Sequence, residues 1–406
     1  MGRNKVKITE LYIYPIKSLR PVSLHTTRLQ QEGLQHDRRF MLLKVIDPSP
    51  PSSSPHYKNI QTAYFPECTL FDQALDDTHE HVIVTHRKHQ RSPLRVPLRP
   101  HTVGLETVEV RLFGSAARTH RMGDPYDDWF TSCLGYRAVL VYIGDHRRAV
   151  LAHAPSPPPP VCREQARSWF TSITSFLPRV LPTSGGGLGE AGEGVDDKEG
   201  QDEGERASIG GLTFNEAAPF LVTSKASLRE VSARLPEGET MDMIKFRPNI
   251  VVDDISDEES DDEITEEEGG SWGEKRTKEL KAWEEDFWAE LLLARDGKRL
   301  ALTANCARCI SINIDYETGR PASGEQGTVL KKLMKDRRVD TGNKWSPIFG
   351  RYAFLLPPLR DHVLNIDDQE DEMGRGQREL IADVAVGDVI KVTKRIRERD
   401  VWAWPK

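Results

Sequence analysis

The residues best suited to chemistry gather around two cysteines. Cys306-Ala-Arg-Cys309 stands in the run TANCARCISINI. Four readings of that spacing compete. A structural zinc site needs a second pair of ligands, and no C-x-x-C or H-x₃₋₅-H follows. A dithiol redox site wants the motif between a strand and a helix, whereas Ile310, Ile312 and Ile314 follow directly in β-type alternation. Two small apolar side chains in a strand are the plain alternative. The last is one thiolate binding a soft transition metal, with Arg308 beside it favouring the thiolate.

Three further constellations carry cations. In Tyr14-Pro15-Ile16-Lys17-Ser18 a proline stops a strand, and a cation and a hydroxyl follow. Lys17 offers a point charge and Ser18 a donor, which together suit an anion; a solvated loop lysine is the alternative. In Asp37-Arg38-Arg39-Phe40 one arginine could grip a phosphate bidentately while the other pairs with Asp37; a local salt bridge is the simpler reading. In Phe246-Arg247-Pro248-Asn249, Arg247 and Asn249 lie two apart, hence on one face of an extended segment, and could hold a polar heterocycle or line an edge strand. The glycine run 185–189 has neither a preceding strand nor a following GK[ST], which argues against a phosphate loop. The acidic tract lacks the D-x-[DN]-x-[DN]-G spacing of a calcium loop.

Strands must position these groups. Lys7–Tyr14 and Arg39–Val45 alternate as strands, with Gly33 as a turn signal between them. Further strand-like runs lie at 81–85, 107–112 and 138–143, with a short helix at 125–135 closed by Gly135. A Pro/Ser loop at 47–56, a proline run at 155–160, a helix at 163–178 and a Gly/acidic linker at 183–206 come next. The second block opens near Ile209. It holds an apolar run and a helix over 214–235, a strand at 246–252, a helical or mixed stretch at 275–293, and β-like runs at 299–314 and 349–394. The pattern predicts a β-dominated α+β fold in two blocks with disordered inserts. The expected domains are 5–145, a linker of 146–206, and 207–397 interrupted by an acidic insert at 253–272.

Composition narrows the class. A chain of 406 residues, 37% hydrophobic and 29% charged, can bury a core, and its length suggests two or three domains at roughly 150 residues each. Mean hydropathy is −0.54. No run of about 18 apolar residues is present, which excludes a spanning helix. The start lacks an apolar signal core, so secretion is not expected. Five cysteines, an odd and sparse set, exclude a disulfide scaffold. The net charge of −7 hides an asymmetry: 253–268 carries −11 and 189–206 carries −6, leaving +10 on the rest. A basic body suits an anionic ligand, a cofactor phosphate or nucleic acid; ordinary surface charge explains the number equally.

The order of these motifs resembles a known family. ITELYIYPIKSLRPV followed by GLQHDRRFML looks like the N-terminal β-barrel domain that accompanies MOSC domains. FNEAAPFLVTSKASL, FRPNIVV, LTANCARCISINIDYETG, SPIFGRYAFLL and VGDVIKV, in that order, resemble the MOSC domain itself, a second β-barrel. The resemblance reaches the molybdenum-containing amidoxime reductases, the mitochondrial amidoxime reducing components, and covers about two thirds of the chain. It implies a molybdenum cofactor (Mo-molybdopterin), with Cys309, the second cysteine of the motif, as metal ligand and catalytic centre. It implies cofactor contacts from Lys17, Ser18, Arg39, Arg247, Asn249, Ala307, Arg308 and Tyr352. It implies reduction of amidoximes and hydroxylamines, with electrons from a cytochrome b-type haem protein and its flavin reductase. No nucleic-acid partner is expected.

This chain also departs from its relatives. Ala217-Ala218 follows Glu216 where relatives often place hydroxyl residues, no N-terminal membrane anchor is read, and no Cys-rich ferredoxin module follows the MOSC block. The cytosol is the default compartment, with mitochondrial association as the alternative. Two rival functions stand beside the reductase: a cofactor or sulfur carrier without turnover, and a non-enzymatic scaffold that recruits basic partners through its acidic tract. Deleting 185–204 or 256–269 is expected to leave cofactor content unchanged.

Overall fold

The computed structural model describes residues 4–47, 56–155, 211–255, 279–357 and 380–404. The proline run, the helix read over 163–178, the Gly/acidic linker and most of the acidic insert lie outside the described residues.

Seven strands close the C-terminal barrel. Around it run Lys5–Ile13, Ile250–Asp253, Phe220–Ser224, Ile348–Leu356, Arg299–Ala307, Trp288–Leu293 and Val389–Arg395, the last pairing back to the first. All neighbours are antiparallel except Phe220–Ser224 with Ile250–Asp253. Inward-facing Val6, Ile8, Leu11, Val222, Ile250, Leu291, Leu300 and Ile390 fill the interior. Closure leaves no free sheet edge.

The first strand changes the domain picture. Lys5–Ile13 comes from the start of the chain yet sits between Ile250–Asp253 and Val389–Arg395. Through this strand the expected block 5–145 is joined to the C-terminal barrel. Thr26–Gln30 crosses in the same way, pairing with Ala382–Ala385.

A second, nearly closed barrel follows. Thr107–Leu112, Ser115–Arg121, Ala138–Tyr142, Phe40–Ile46 and His56–Asn59 form one sheet, and Phe71–Leu75, His81–His86 and Leu94–Pro97 another. Phe40, Leu42, Phe71, Val82 and Leu140 fill the space between them, joined by Phe130 of the helix Asp124–Leu134. Gly135 ends that helix with φ 75°, the left-handed cap expected of its glycine.

One local expectation resolves to its mixed reading and one fails. Of the stretch read as helical or mixed over 275–293, the described residues from 279 onward hold a short 3₁₀ turn, Glu284–Phe287, followed by the strand Trp288–Leu293. Its aromatic spacing mimics a helical stripe. The strand persists because Glu290, 5% exposed, is held by Arg299 and Lys394 at 2.6 and 2.9 Å. The strand expected from Phe246 begins only at Ile250. Arg247 has φ 54° and caps the 3₁₀ turn Met243–Phe246, so Arg247 and Asn249 do not share the face of an extended segment.

Candidate active site

The strand Arg299–Ala307 delivers the cysteine motif to the surface. Cys306 is its penultimate residue and is buried. Arg308 then turns, its backbone N–H donating to Pro347 O at 2.8 Å. Cys309 opens the 3₁₀ turn Ile310–Asn313, and its thiol is exposed, 3.2 Å from Ser311 Oγ. The two cysteines thus divide the readings left open by their spacing. Cys306 packs in a strand, and burial pushes its thiol pKa up. Cys309 alone is open to a ligand.

Beside Cys309 lies a small cavity of about 70 Å³ lined by Lys17, Arg38, Glu216, Arg247, Arg308 and Tyr352, with Cys306, Ala307, Asn249 and Cys309. Four cations face one carboxylate. Arg308 Nη1 donates to Cys306 Sγ at 2.8 Å and Nη2 to Phe246 O at 2.8 Å. Lys17 Nζ donates to Phe214 O at 2.9 Å. Burial lowers the Lys17 pKa to about 7; Glu216 opposes that shift, while Arg38, Arg148 and Arg247 add to it. Arg38 and Arg247 stack on Tyr14, their guanidinium carbons 4.6 and 4.2 Å from its ring centre.

One hydrogen-bond net holds these groups. Asp37 pairs with Arg38 and accepts from Tyr14 N at 2.8 Å and from Asn249 Nδ2 at 3.1 Å. Asn249 Nδ2 also reaches Tyr12 O at 3.2 Å, and its Oδ1 accepts from Leu221 N at 3.2 Å and Arg38 Nη1 at 3.3 Å. Its amide is committed to the protein, so Asn249 positions Arg38 and ties two strands together rather than presenting a free edge for a heterocycle. Arg148, 1% exposed, donates to the carbonyls of Thr213 and Asn215 at 2.8 and 2.5 Å and to Glu216 O at 3.3 Å. With Lys17 on Phe214, four successive carbonyls are held by cations, which fixes the segment carrying Glu216.

Glu216 stands at the cavity mouth, open to solvent, with its carboxylate turned inward. Tyr352 Oη, from the strand Ile348–Leu356, donates to Glu216 Oε2 at 2.9 Å. Burial would raise this carboxyl's pKa. Lys17, Arg308, the Tyr352 hydroxyl and Arg38 outweigh it, so the group is held below its ordinary range and is ionised at neutral pH.

Seven of the nine residues read from the sequence meet here: Lys17, Arg247, Asn249, Ala307, Arg308, Cys309 and Tyr352. Two do not. Ser18 Oγ donates to Ile60 O at 2.9 Å in the neighbouring core and is not on the cavity wall. Arg39 faces away, donating to Gly144 O at 2.5 Å in a different cavity that it shares with Glu32 and Arg147. Its neighbour Arg38 takes the cavity position. The backbone turns at Arg38, φ 50°, ahead of the strand that begins at Phe40, so strand alternation carries no signal there. Sequence reasoning also missed Tyr14 and Arg148, and noted Glu216 only as the start of a departure. A larger cavity, about 770 Å³, lies elsewhere, beside His36, His79, Leu98 and Met122, and holds none of the candidate residues.

The donor set fits a phosphate-bearing molybdenum cofactor. Arg247 Nη2 and Arg308 Nε are buried without a hydrogen-bond partner among the described residues, and a buried unpaired guanidinium N–H calls for an acceptor. A phosphate supplies such acceptors, and the exposed Cys309 thiol suits a soft metal.

Residues 5–137 match the family model for the MOSC N-terminal beta barrel domain, and residues 210–391 match the model for the MOSC domain. The chain is 27% identical over 151 residues to mitochondrial amidoxime-reducing component 1 of Homo sapiens, a match covering 36% of this chain and 35% of that protein. It is 28% identical over 142 residues to mitochondrial amidoxime reducing component 2 of Bos taurus, covering 35% and 34%. The matched stretch spans about a third of the length of these curated relatives. With both barrels, both domain models and the cysteine-bearing cavity in agreement, the chain belongs to the MOSC family and carries the N-terminal MOSC β-barrel domain ahead of its MOSC domain.

Proposed function

We propose that this chain is a molybdenum-cofactor oxidoreductase that reduces N-hydroxylated compounds such as amidoximes and hydroxylamines. One observation carries the reading: a solvent-open thiol, Cys309, beside a cavity with four cations, two of which hold buried unpaired N–H groups. The relatives' names support it.

Each residue has a task in this reading. Cys309 supplies one thiolate to the metal. Lys17, Arg38, Arg247 and Arg308 take the phosphate. Asn249 and Asp37 hold Arg38 in place, and Tyr14 supports two of the guanidinium groups from behind. When bound, the cofactor would supply a two-electron redox centre for reduction of an N–OH group. Turning N–OH into N–H with loss of water consumes two electrons and two protons. The electrons come from a separate donor, a cytochrome b-type haem protein fed by a flavin reductase. Tyr352 Oη and the Glu216 carboxylate hold a proton between them at the cavity mouth.

Among the described residues no helix is long and apolar enough to cross a membrane. The relatives are named as mitochondrial components; the sequence alone points to the cytosol, and fractionation of the native protein decides between them.

The test is metal analysis of protein purified from a host that makes the cofactor. Wild type should hold near-stoichiometric molybdenum and reduce an aryl amidoxime when supplied with electrons. Cys309→Ala should lose both while keeping its circular dichroism. Molybdenum retained in Cys309→Ala, or absent from wild type, sinks the reading.

A further inference from the structure

The cavity holds a carboxylate where a phosphate-binding site has least use for one. Lys17, Arg38, Arg247 and Arg308 face it, and Glu216 is its acid. A phosphate-bearing ligand brings about two negative charges of its own and must share the same cations. Glu216 also reaches across the opening to Tyr352 at 2.9 Å. The remaining enclosed space, about 70 Å³, holds a few water molecules. A phosphate-bearing heterocycle is larger, so side chains at the mouth must give way. The backbone of Glu216 does not, because Arg148 clamps the carbonyls of Asn215 and Glu216. Its side chain, tethered at the carboxylate by Tyr352, is the part that can swing aside.

We infer that Glu216 is the internal counter-ion of this cavity: it holds Lys17, Arg308 and Tyr352 in register, and competes for them with the phosphate of an incoming ligand, thereby setting how tightly that ligand binds. The identity of that ligand rests on the function proposed above; the competition does not.

The test uses the full-length chain purified from a host unable to make the cofactor, with inorganic pyrophosphate as probe at low salt. Titration calorimetry should show Glu216→Gln binding pyrophosphate about tenfold more tightly than wild type, since a repulsion of one unit charge at short range is worth about one decade. Glu216→Asp keeps the charge and should bind as wild type does. Without pyrophosphate Glu216→Gln should melt below wild type, and saturating pyrophosphate should close that gap. A merely structural role predicts the opposite sign, with the Gln variant binding more weakly. The inference is overturned if Glu216→Gln binds equally or more weakly, if Glu216→Asp behaves like Gln, or if neither protein binds pyrophosphate. Pyrophosphate binding involves neither metal nor thiol, so it is read independently of molybdenum content. Failure of the molybdenum reading therefore leaves this result standing, and the converse holds.

Discussion

At the residue scale, Lys17 is the most informative side chain. Its pKa is lowered to about 7 from an ordinary 10.5, first by burial and then by three neighbouring arginines. Between those values the unfolded chain binds a proton here that the folded chain releases, so this group makes the folded state more stable as pH rises through that window. Below about pH 7 both states are charged and the full penalty applies. A bound anion reverses the balance by favouring the ammonium. Pyrophosphate binding is then coupled to uptake of about one proton, and its affinity should fall by about a decade per pH unit above pH 7. Calorimetry from pH 6 to 9 measures the slope, and Lys17→Arg, which stays charged, should flatten it. A wild-type slope as flat as that of the arginine variant would contradict the assignment. Residue chemistry of this kind was largely legible in the sequence: Lys17, Arg247 and Arg308 were found because each sits in a short motif beside a strand end. The motif match named Arg39, while the backbone turns at Arg38 with φ 50° and brings that side chain to the cavity.

At the element scale, the cavity depends on segments whose sequence carries little pattern. Residues 212–216 form no strand; they run as a strap held by Arg148 and Lys17. Arg148 gives its donors to Thr213 O, Leu112 O, Ser115 Oγ, Asn215 O and Glu216 O. Nothing in the local sequence announces this, because a lone arginine after a strand reads as surface charge. Its partners lie up to 68 residues away, and only the tertiary fold brings them together. Arg148→Met should leave several buried carbonyls unpaired, at about 1–3 kcal/mol each before relaxation. We expect a total loss of about 3 kcal/mol in a urea titration. A loss below about 1 kcal/mol would mean the strap holds itself. Strand positions were easier to read. Thr107–Leu112 alternates in burial as its sequence does. Trp288–Leu293 misled because its charged Glu290 faces inward against Arg299, a compensation invisible to a binary pattern.

At the scale of the whole molecule, the two blocks seen in the sequence are interlaced. Lys5–Ile13 completes the C-terminal barrel, and Thr26–Gln30 pairs with Ala382–Ala385. Elsewhere Glu317 joins Arg20 and Arg87 at 2.9 and 2.7 Å, and Lys88 Nζ reaches Thr318 O at 2.8 Å. The β-dominated class and the two barrels were legible; the ownership of the first strand was not, because hydrophobic alternation specifies a strand and one buried face but not the partner. This exchange also explains where the cavity lies: Lys17 follows closely on Lys5–Ile13, which closes the barrel of Cys309 and Tyr352, while Arg38 leads into Phe40–Ile46 of the other barrel. The consequence can be tested by rearranging the chain. Residues 207–406 produced alone lack the strand between Ile250–Asp253 and Val389–Arg395 and so present two unpaired edges, which invites aggregation. Appending residues 1–30 to their C-terminus through a flexible linker should restore a closed barrel. Size-exclusion chromatography should find the first protein aggregated and the second monomeric with dispersed amide resonances. A well-folded monomer from 207–406 alone would show that the barrel can close without its first strand, and that the N-terminal segment serves the cavity rather than the fold.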